Sequence, residues 1–261
     1  MSELTVVSRE RHAGKKWRRF NGYAFAAADA LAPLVGVELA RAALAMPCAF
    51  LEQSGRYTLV AVLSLIPGRN MFVGPDGRWL LGYVPAWYRS YPFRLLPQQG
   101  TDQLVLCVDE DSGLVVEGNA AGEDFFAEDG NIPPALKTLF DLLMQVDRSR
   151  RATDLAVSAL AEAGVIAPWP IKLKTEQGEK AISGLHRIDE AALVALPDDV
   201  FLKVRTALPI AYGQLLSAGQ LGVFEQLAKL HNQLAPPAVA GLPESLDSLF
   251  GMQGDDMIRF S

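Results

Sequence analysis

The chain has little cysteine, little histidine and no long apolar run. Its two cysteines, Cys48 and Cys107, stand alone in apolar stretches. A disulfide scaffold or a thiolate zinc site needs paired spacings such as C-x-x-C, so neither organises this fold. Buried free thiols in a reducing compartment are expected, with a single bridge left open. The three histidines, His12, His186 and His231, are far apart, and none has a second ligand at i+4 as in an H-E-x-x-H helix. No metal and no cofactor is expected. The strongest apolar run, Tyr57 to Ile66, contains Thr58 and Ser64 and is ten residues long, whereas a spanning helix needs about 20. A second, Ala24 to Ala40, is interrupted by Asp29, Pro33 and Glu38. Integral membrane insertion is therefore not expected. The basic N-terminal segment lacks the apolar stretch of ~7–15 residues of a secretory signal, which favours a cytoplasmic protein, with export lacking a cleaved signal as the alternative.

Phosphate-binding and nucleophile motifs are missing as well. There is no G-x-G-x-x-G, no G-x-x-x-x-G-K-S/T and no G-x-S-x-G, and Gly14-Lys15-Lys16 lacks the upstream glycine and strand of a P-loop. The acidic segment Asp109 to Gly113 fails as a calcium loop, because its glycine comes one place early and its twelfth position is Ala120 rather than a bidentate Glu. It reads as a hairpin turn. Positive charge is scarce too: the formal net charge of -6 argues against nucleic acid as a partner, since phosphate neutralisation needs clustered Lys and Arg. One basic segment stands apart, with Arg9, Arg11, Lys15, Lys16, Arg18 and Arg19 around His12. It is either a hook for an anionic partner or an arm packed on the periphery.

What is present is a globular composition: 261 residues, 50% hydrophobic and 21% charged. From Cys48 to Val116 short strands alternate with turns. Gln53-Ser54-Gly55 joins Cys48–Glu52 to Tyr57–Ile66, Gly74-Pro75-Asp76-Gly77 joins Met71–Val73 to Arg78–Leu80, and Asp109–Gly113 joins Gln103–Val108 to Leu114–Glu117. After Pro133-Pro134 the period changes, and Leu136, Leu139, Phe140, Leu143 and Val146 predict a long amphipathic helix that continues toward Ala163 and stops at Gly164. A loop with Pro168, Pro170 and Gly178 follows. Asp189 is expected to cap one helix, Asp198 or Asp199 a second, and Pro209 to break or kink the next stretch. Leu246, Leu249 and Phe250 offer a short docking turn in the tail. The order of strands, then helices, predicts an α+β fold: an N-terminal, mostly antiparallel sheet packed with a C-terminal helical region. One domain over residues 1–261 is expected, with a strand-rich part (20–130), a helical part (131–235) and a tail (236–261).

The feature with chemical content is the segment from Trp79 through Tyr83, Trp87, Tyr88, Arg89, Tyr91 and Phe93 to Arg94, which concentrates aromatics in a chain that is 8% aromatic. Such a cluster stacks on a planar or sugar-like ligand while Arg89 supplies a fork of donors. The same rings also serve to pin a helix onto a sheet. The candidate ligand- or partner-binding residues are Arg69, Asn70, Trp79, Tyr83, Tyr88, Arg89 and Tyr91.

Several segments together resemble the SapC family of bacterial proteins. They are Arg9-Glu10-Arg11-His12; Glu38 with Arg41-Ala42-Ala43; Met46-Pro47-Cys48-Ala49-Phe50; Pro67-Gly68-Arg69-Asn70-Met71-Phe72-Val73; Gly77-Arg78-Trp79 through Tyr83-Val84-Pro85-Ala86; and Tyr91-Pro92-Phe93. Pro133 to Lys137, Asp189 to Leu193 and Leu196-Pro197-Asp198 extend the likeness over most of residues 8–230. The family more usually has Tyr-Pro-Ile-Val-Phe where this chain has Met46 to Phe50, and a smoother helix where it has Pro209. The resemblance implies an accessory or surface-layer-associated protein and carries over no catalytic residues. A peptide-transporter permease of the same name spans the membrane repeatedly, which this sequence does not support.

These readings lead to a binding or accessory protein that contacts a partner protein or surface polymer through the aromatic and Arg segment, with homo-oligomers possible. The alternatives are an enzyme of unknown reaction, whose site joins that segment to Arg69, Asn70 and His12, and a self-assembling surface-layer component.

Overall fold

The computed structural model describes residues 4–234 except 99, 102, 176 and 177. The N-terminal arm forms β1 (Leu4–Val6), a helical turn α1 (Arg9–His12) and β2 (Lys15–Trp17). Next come β3 (Leu31–Pro33), α2 (Gly36–Ala42) and the hairpin of β4 (Cys48–Gln53) with β5 (Arg56–Val62). Ser54 and Gly55 both adopt positive φ, at 53° and 77°, the geometry that lets a two-residue turn follow the strand twist. The aromatic segment carries the turn α3 (Ala86–Arg89) and leads into β6 (Phe93–Pro97) and β7 (Leu104–Asp109), followed by β8 (Val115–Glu117) and β9 (Glu123–Asp124).

The long helix α4 (Pro134–Glu162) has proline in its first turn and is followed by Gly164 at φ 70°, as its sequence predicts. Beyond it lie β10 (Ile166–Pro168), β11 (Ile171–Thr175), β12 (Gly178–Ile182) and β13 (Leu185–Ile188). The helices α5 (Glu190–Val194), α6 (Asp198–Val204), α7 (Leu208–Ser217) and α8 (Val223–Leu234) complete the described chain.

The fold is α+β, and the strand pairings among the described residues are all antiparallel. A five-stranded sheet runs β10-β13-β4-β5-β3, and two three-stranded sheets run β1-β7-β6 and β8-β2-β9, with β11-β12 a separate pair. The largest core cluster holds Phe50, Leu59, Phe72 and Tyr88 from the strand-rich part, with Val157, Leu160, Ile210 and Leu227 from the helices. A second gathers Trp17, Phe93, Val108 and Phe125 against Leu136 and Leu143. Helix α4 thus contributes to both clusters, its N-terminal half to the second and its C-terminal half to the first.

Three local readings change once the chain is folded. The segment after α4 is not a loop: β10 and β13 extend the main sheet beside β4. Pro168 is accommodated because β10 is an edge strand, where a missing N–H breaks no ladder. Leu114 to Glu117 does not return along β7; β8 pairs with the arm strand β2, setting Lys15 opposite Glu117 and Trp17 opposite Val115. The Gly74–Gly77 turn closes a single bridge, Val73 with Trp79, rather than a hairpin. Pro209 breaks the helical stretch, as its sequence predicts: α6 ends at Val204 and Pro209 sits in the first turn of α7, where it needs no N–H partner. The helix-start readings divide: Asp189 accepts the Ala192 N–H at 3.1 Å, whereas Asp198 and Asp199 lie inside the first turn after Pro197 and make no side-chain cap. Leu246, Leu249 and Phe250 lie outside the described residues.

The basic arm is packed. Glu110, in the acidic turn, receives Arg11 at 2.6 Å and Lys15 at 3.0 Å, with buried His12 Nε2 at 3.1 Å, and Lys16 lies 3.6 Å from Asp124. Hydrogen bonds, first from Arg11 and then from Lys15, hold the Glu110 carboxyl down at about 2, while burial lowers His12 below its ordinary 6.5. Burial also pushes the Cys48 thiol up to about 12, and both cysteines are free.

Candidate functional site

The site is built where α2, the 79–94 segment and α4 meet. The starting point is Glu38, a charge inside an otherwise apolar stretch, which must find partners when buried. It does so completely. Its Oε1 accepts the Val35 N–H at 2.9 Å, which helps satisfy the N-terminus of α2. Its Oε2 accepts the Tyr83 hydroxyl at 2.9 Å and the Ala86 N–H at 2.7 Å, and Arg89 Nη2 lies 3.7 Å away. Arg89 also donates to the Tyr83 oxygen at 2.8 Å. One carboxylate therefore fixes the entry to α3 and the two side chains beside it. From α4, Thr153 accepts the Gly36 N–H at 2.7 Å and returns its own proton to Ser149, which ties α2 to the long helix.

Asp29, the other acid of that apolar stretch, accepts the Tyr88 hydroxyl at 3.0 Å. Burial first, and then the neighbouring acids Glu38 and Asp29 respectively, raise Tyr83 to about 12 and Tyr88 further still. Both phenols stay protonated and act as donors. Arg94 donates to Ser90 Oγ at 3.2 Å and to the Phe93 carbonyl at 2.9 Å, and its guanidinium lies over the Trp87 ring at 4.2 Å. Trp87 is 40% exposed, so the half-buried arginine supports an indole offered to solvent.

The seven residues singled out from the sequence divide. Tyr88 is 1% exposed and belongs to the main core. Trp79 donates to the Leu81 carbonyl at 2.9 Å and stacks on Phe72. Asn70 is buried, donating to the Ala26 carbonyl and accepting the Phe72 N–H. These three spend their polar groups inside the fold. Arg69 is exposed and lines a cavity of about 300 Å3 with Asn70 and His231, to which no residue of 79–94 contributes. Tyr83, Arg89 and Tyr91 remain together near α3, where Tyr91 stacks on Phe25 at 3.8 Å. His12 is elsewhere, against Phe125 in the second cluster's surroundings.

Three clefts open around α3. One of about 330 Å3 lies between α2, β6 and α4, with Glu38, Trp87, Arg94, Asp147 and Arg150 in its wall. Another of about 310 Å3 is bounded by Asp29, Trp87, Tyr91, Arg94 and Asp109. The third, about 430 Å3, lies between Arg89, Tyr91, the arm and the first turns of α4. Sequence reasoning missed Glu38, Asp29, Asp147 and Arg150 as neighbours of this segment. Asp29 and Glu38 had a signal, since charges that interrupt an apolar run mark buried polar joints; Asp147 and Arg150 had none, because their pairing across α4 reads as an exposed helix face.

Among the described residues no helix is long and apolar enough to cross a membrane, and no group of three or more His, Cys, Asp or Glu is disposed to hold a metal ion. Comparison with curated proteins and with solved structures returns no match. The SapC family model matches residues 7–223, a span that takes in every element from α1 through α7, including all of the 79–94 segment and the long helix. The chain belongs to the SapC family.

Proposed function

We propose that this protein is a binding or accessory member of the family, which contacts a partner protein or surface polymer through the face formed by Trp87, Arg89 and Tyr91. The observation that carries the reading is the supported indole: Trp87 stands exposed between two clefts while Arg94 beneath it is held by Ser90 and Phe93. A rigid Trp flanked by Arg loses little entropy on binding and is the kind of anchor that dominates recognition surfaces. The nearby ionisable groups favour binding over proton transfer. Glu38 is occupied by three hydrogen bonds, Asp29 by one, and the phenols are raised away from neutral pH. The arm's pairing with Glu110 and Asp124 further weakens the case for nucleic acid.

The test is Trp87→Ala with Arg89→Ala, both at exposed positions, used as bait in extracts of the native cells beside the wild type, with proteins read by mass spectrometry and polymers by sugar analysis. A partner captured by the wild type should be lost from the folded double variant. Undiminished capture by that variant would remove this face from the interaction. A second reading, self-association, has its own observation: Tyr212 and Leu216 lie one turn apart on α7 and are 51% and 64% exposed. It predicts a larger assembly by sedimentation that Leu216→Asp dissociates.

A further inference from the structure

The largest cleft beside α3 has a character unlike the other two. Its wall is apolar, built from Trp17, Phe20, Leu139 and Leu142, and its charged members are Arg19 and Arg89, with no acid among the lining residues. Its volume of about 430 Å3 falls in the ordinary range of small-molecule sites. Phe20 is braced edge-on by Tyr23 and Phe25, and Trp17 by Phe93, so the wall is set by packing rather than assembled on demand.

Two cationic side chains line this cleft beside a buried indole. Trp17 is 2% exposed, yet its Nε1–H has no acceptor; a buried donor without a partner costs roughly 1–3 kcal/mol and is normally satisfied. Arg19 has no hydrogen bond or ion pair among the described residues. Arg89 adds positive charge, shared with the Tyr83 oxygen and Glu38. The first turn of α4, which supplies Ala135 to the wall, contributes the positive end of a 29-residue helix. An apolar chamber with two guanidinium groups and no carboxylate is complementary to a molecule with an apolar body and one compact anionic head.

We infer that the cleft between the N-terminal arm and α4 binds a small monocarboxylate with an apolar body, its head group held by Arg19 and Arg89 and its body enclosed by Trp17, Phe20, Leu139 and Leu142. The planar guanidinium fork matches a carboxylate in two parallel hydrogen bonds. This site shares Arg89 and Tyr91 with the proposed partner face but makes no use of Trp87.

The experiment is calorimetric titration of the full chain with octanoate and 2-naphthoate, with octanamide as the neutral isostere of the first. At least one carboxylate should bind at one site per chain, and octanamide about tenfold more weakly than octanoate, because it forfeits the charge-assisted bonds. Arg19→Glu should weaken carboxylate binding by at least about tenfold through charge reversal, and Leu139→Trp should abolish it by filling the chamber. Trp87→Ala should leave it unchanged, which separates this site from the proposed partner surface. In proton–nitrogen correlation spectra the Trp17 indole N–H, assigned through Trp17→Phe, should shift on adding the bound carboxylate. Arg19 is exposed, so its variant remains decisive if a wall substitution fails to fold. Absence of binding by both carboxylates, equal affinity for octanoate and octanamide, or unchanged binding by Arg19→Glu would each overturn the assignment.

Discussion

Replacing Glu38 probes the joint on which the candidate site rests. In Glu38→Ala the Val35 and Ala86 N–H groups lose their acceptor while staying buried, and the half-buried Tyr83 hydroxyl turns to water. At roughly 1–3 kcal/mol for each buried donor left unpaired, the two backbone groups together predict a loss of about 4 kcal/mol. Glu38→Gln keeps one oxygen for Val35 but turns an amide NH2 toward Ala86, so about 2 kcal/mol is expected from one lost acceptor. Tyr83→Phe removes a single hydrogen bond with solvent within reach and should cost about 1 kcal/mol. Urea denaturation followed by circular dichroism supplies the three values. The double variant Glu38→Gln with Tyr83→Phe should lose less than the sum of the singles, because the two share a bond. A loss below about 1 kcal/mol for Glu38→Ala would refute the reasoning, since buried donors without acceptors cannot be that cheap.

Other outcomes follow from the same geometry. Gln214 accepts the Ile188 N–H at 2.8 Å and donates to the Cys48 carbonyl at 3.0 Å, clasping α7 to the sheet; Gln214→Leu should cost about 2 kcal/mol in urea unfolding by leaving the Ile188 N–H unpaired and the Cys48 carbonyl with the Ser217 hydroxyl at 3.4 Å. A Cβ on Gly213 would meet the Leu39 side chain at 2.7 Å, so Gly213→Ala should lower stability by about 1–3 kcal/mol through overpacking between α7 and α2 despite its better helix propensity. Acid should weaken the arm in two stages. His12 titrates below its ordinary 6.5 in the folded state, so the unfolded chain takes up the proton first and stability falls as pH drops beneath about 6.5. Glu110 is held at about 2 against an ordinary 4.5, so its contribution is whole above 4.5 and is lost as pH falls toward 2. Urea midpoints measured from pH 8 to 3 should show both declines, and Glu110→Gln should flatten the lower one; an unchanged slope below pH 4.5 in that variant would contradict the role given to Glu110.

Much of this protein is local, and local chemistry is readable. The Ser54-Gly55 turn, the proline-led and glycine-stopped long helix and the Asp189 cap each depend on a few adjacent residues whose backbone preferences decide the outcome. The order of strands and helices likewise determined the α+β class, and the paired signatures of the arm, the Pro67–Val73 segment and the aromatic segment carried the family. Partner choice was not local. Whether Leu114 to Glu117 joins β7 or the arm depends on which burial leaves Trp17 and Val115 facing a core, and an alternating segment looks the same in either pairing. The division of the aromatic segment was decided only by packing: Trp79 and Tyr88 met rings and acceptors inside the core, Trp87 met Arg94 and stayed exposed, and Arg69 was carried to a different cleft. Sequence could count those rings and forks of donors, but which way each one turns is set by contacts between residues as far apart as Tyr83 and Glu38, or Tyr88 and Asp29, and those contacts exist only once the chain has folded.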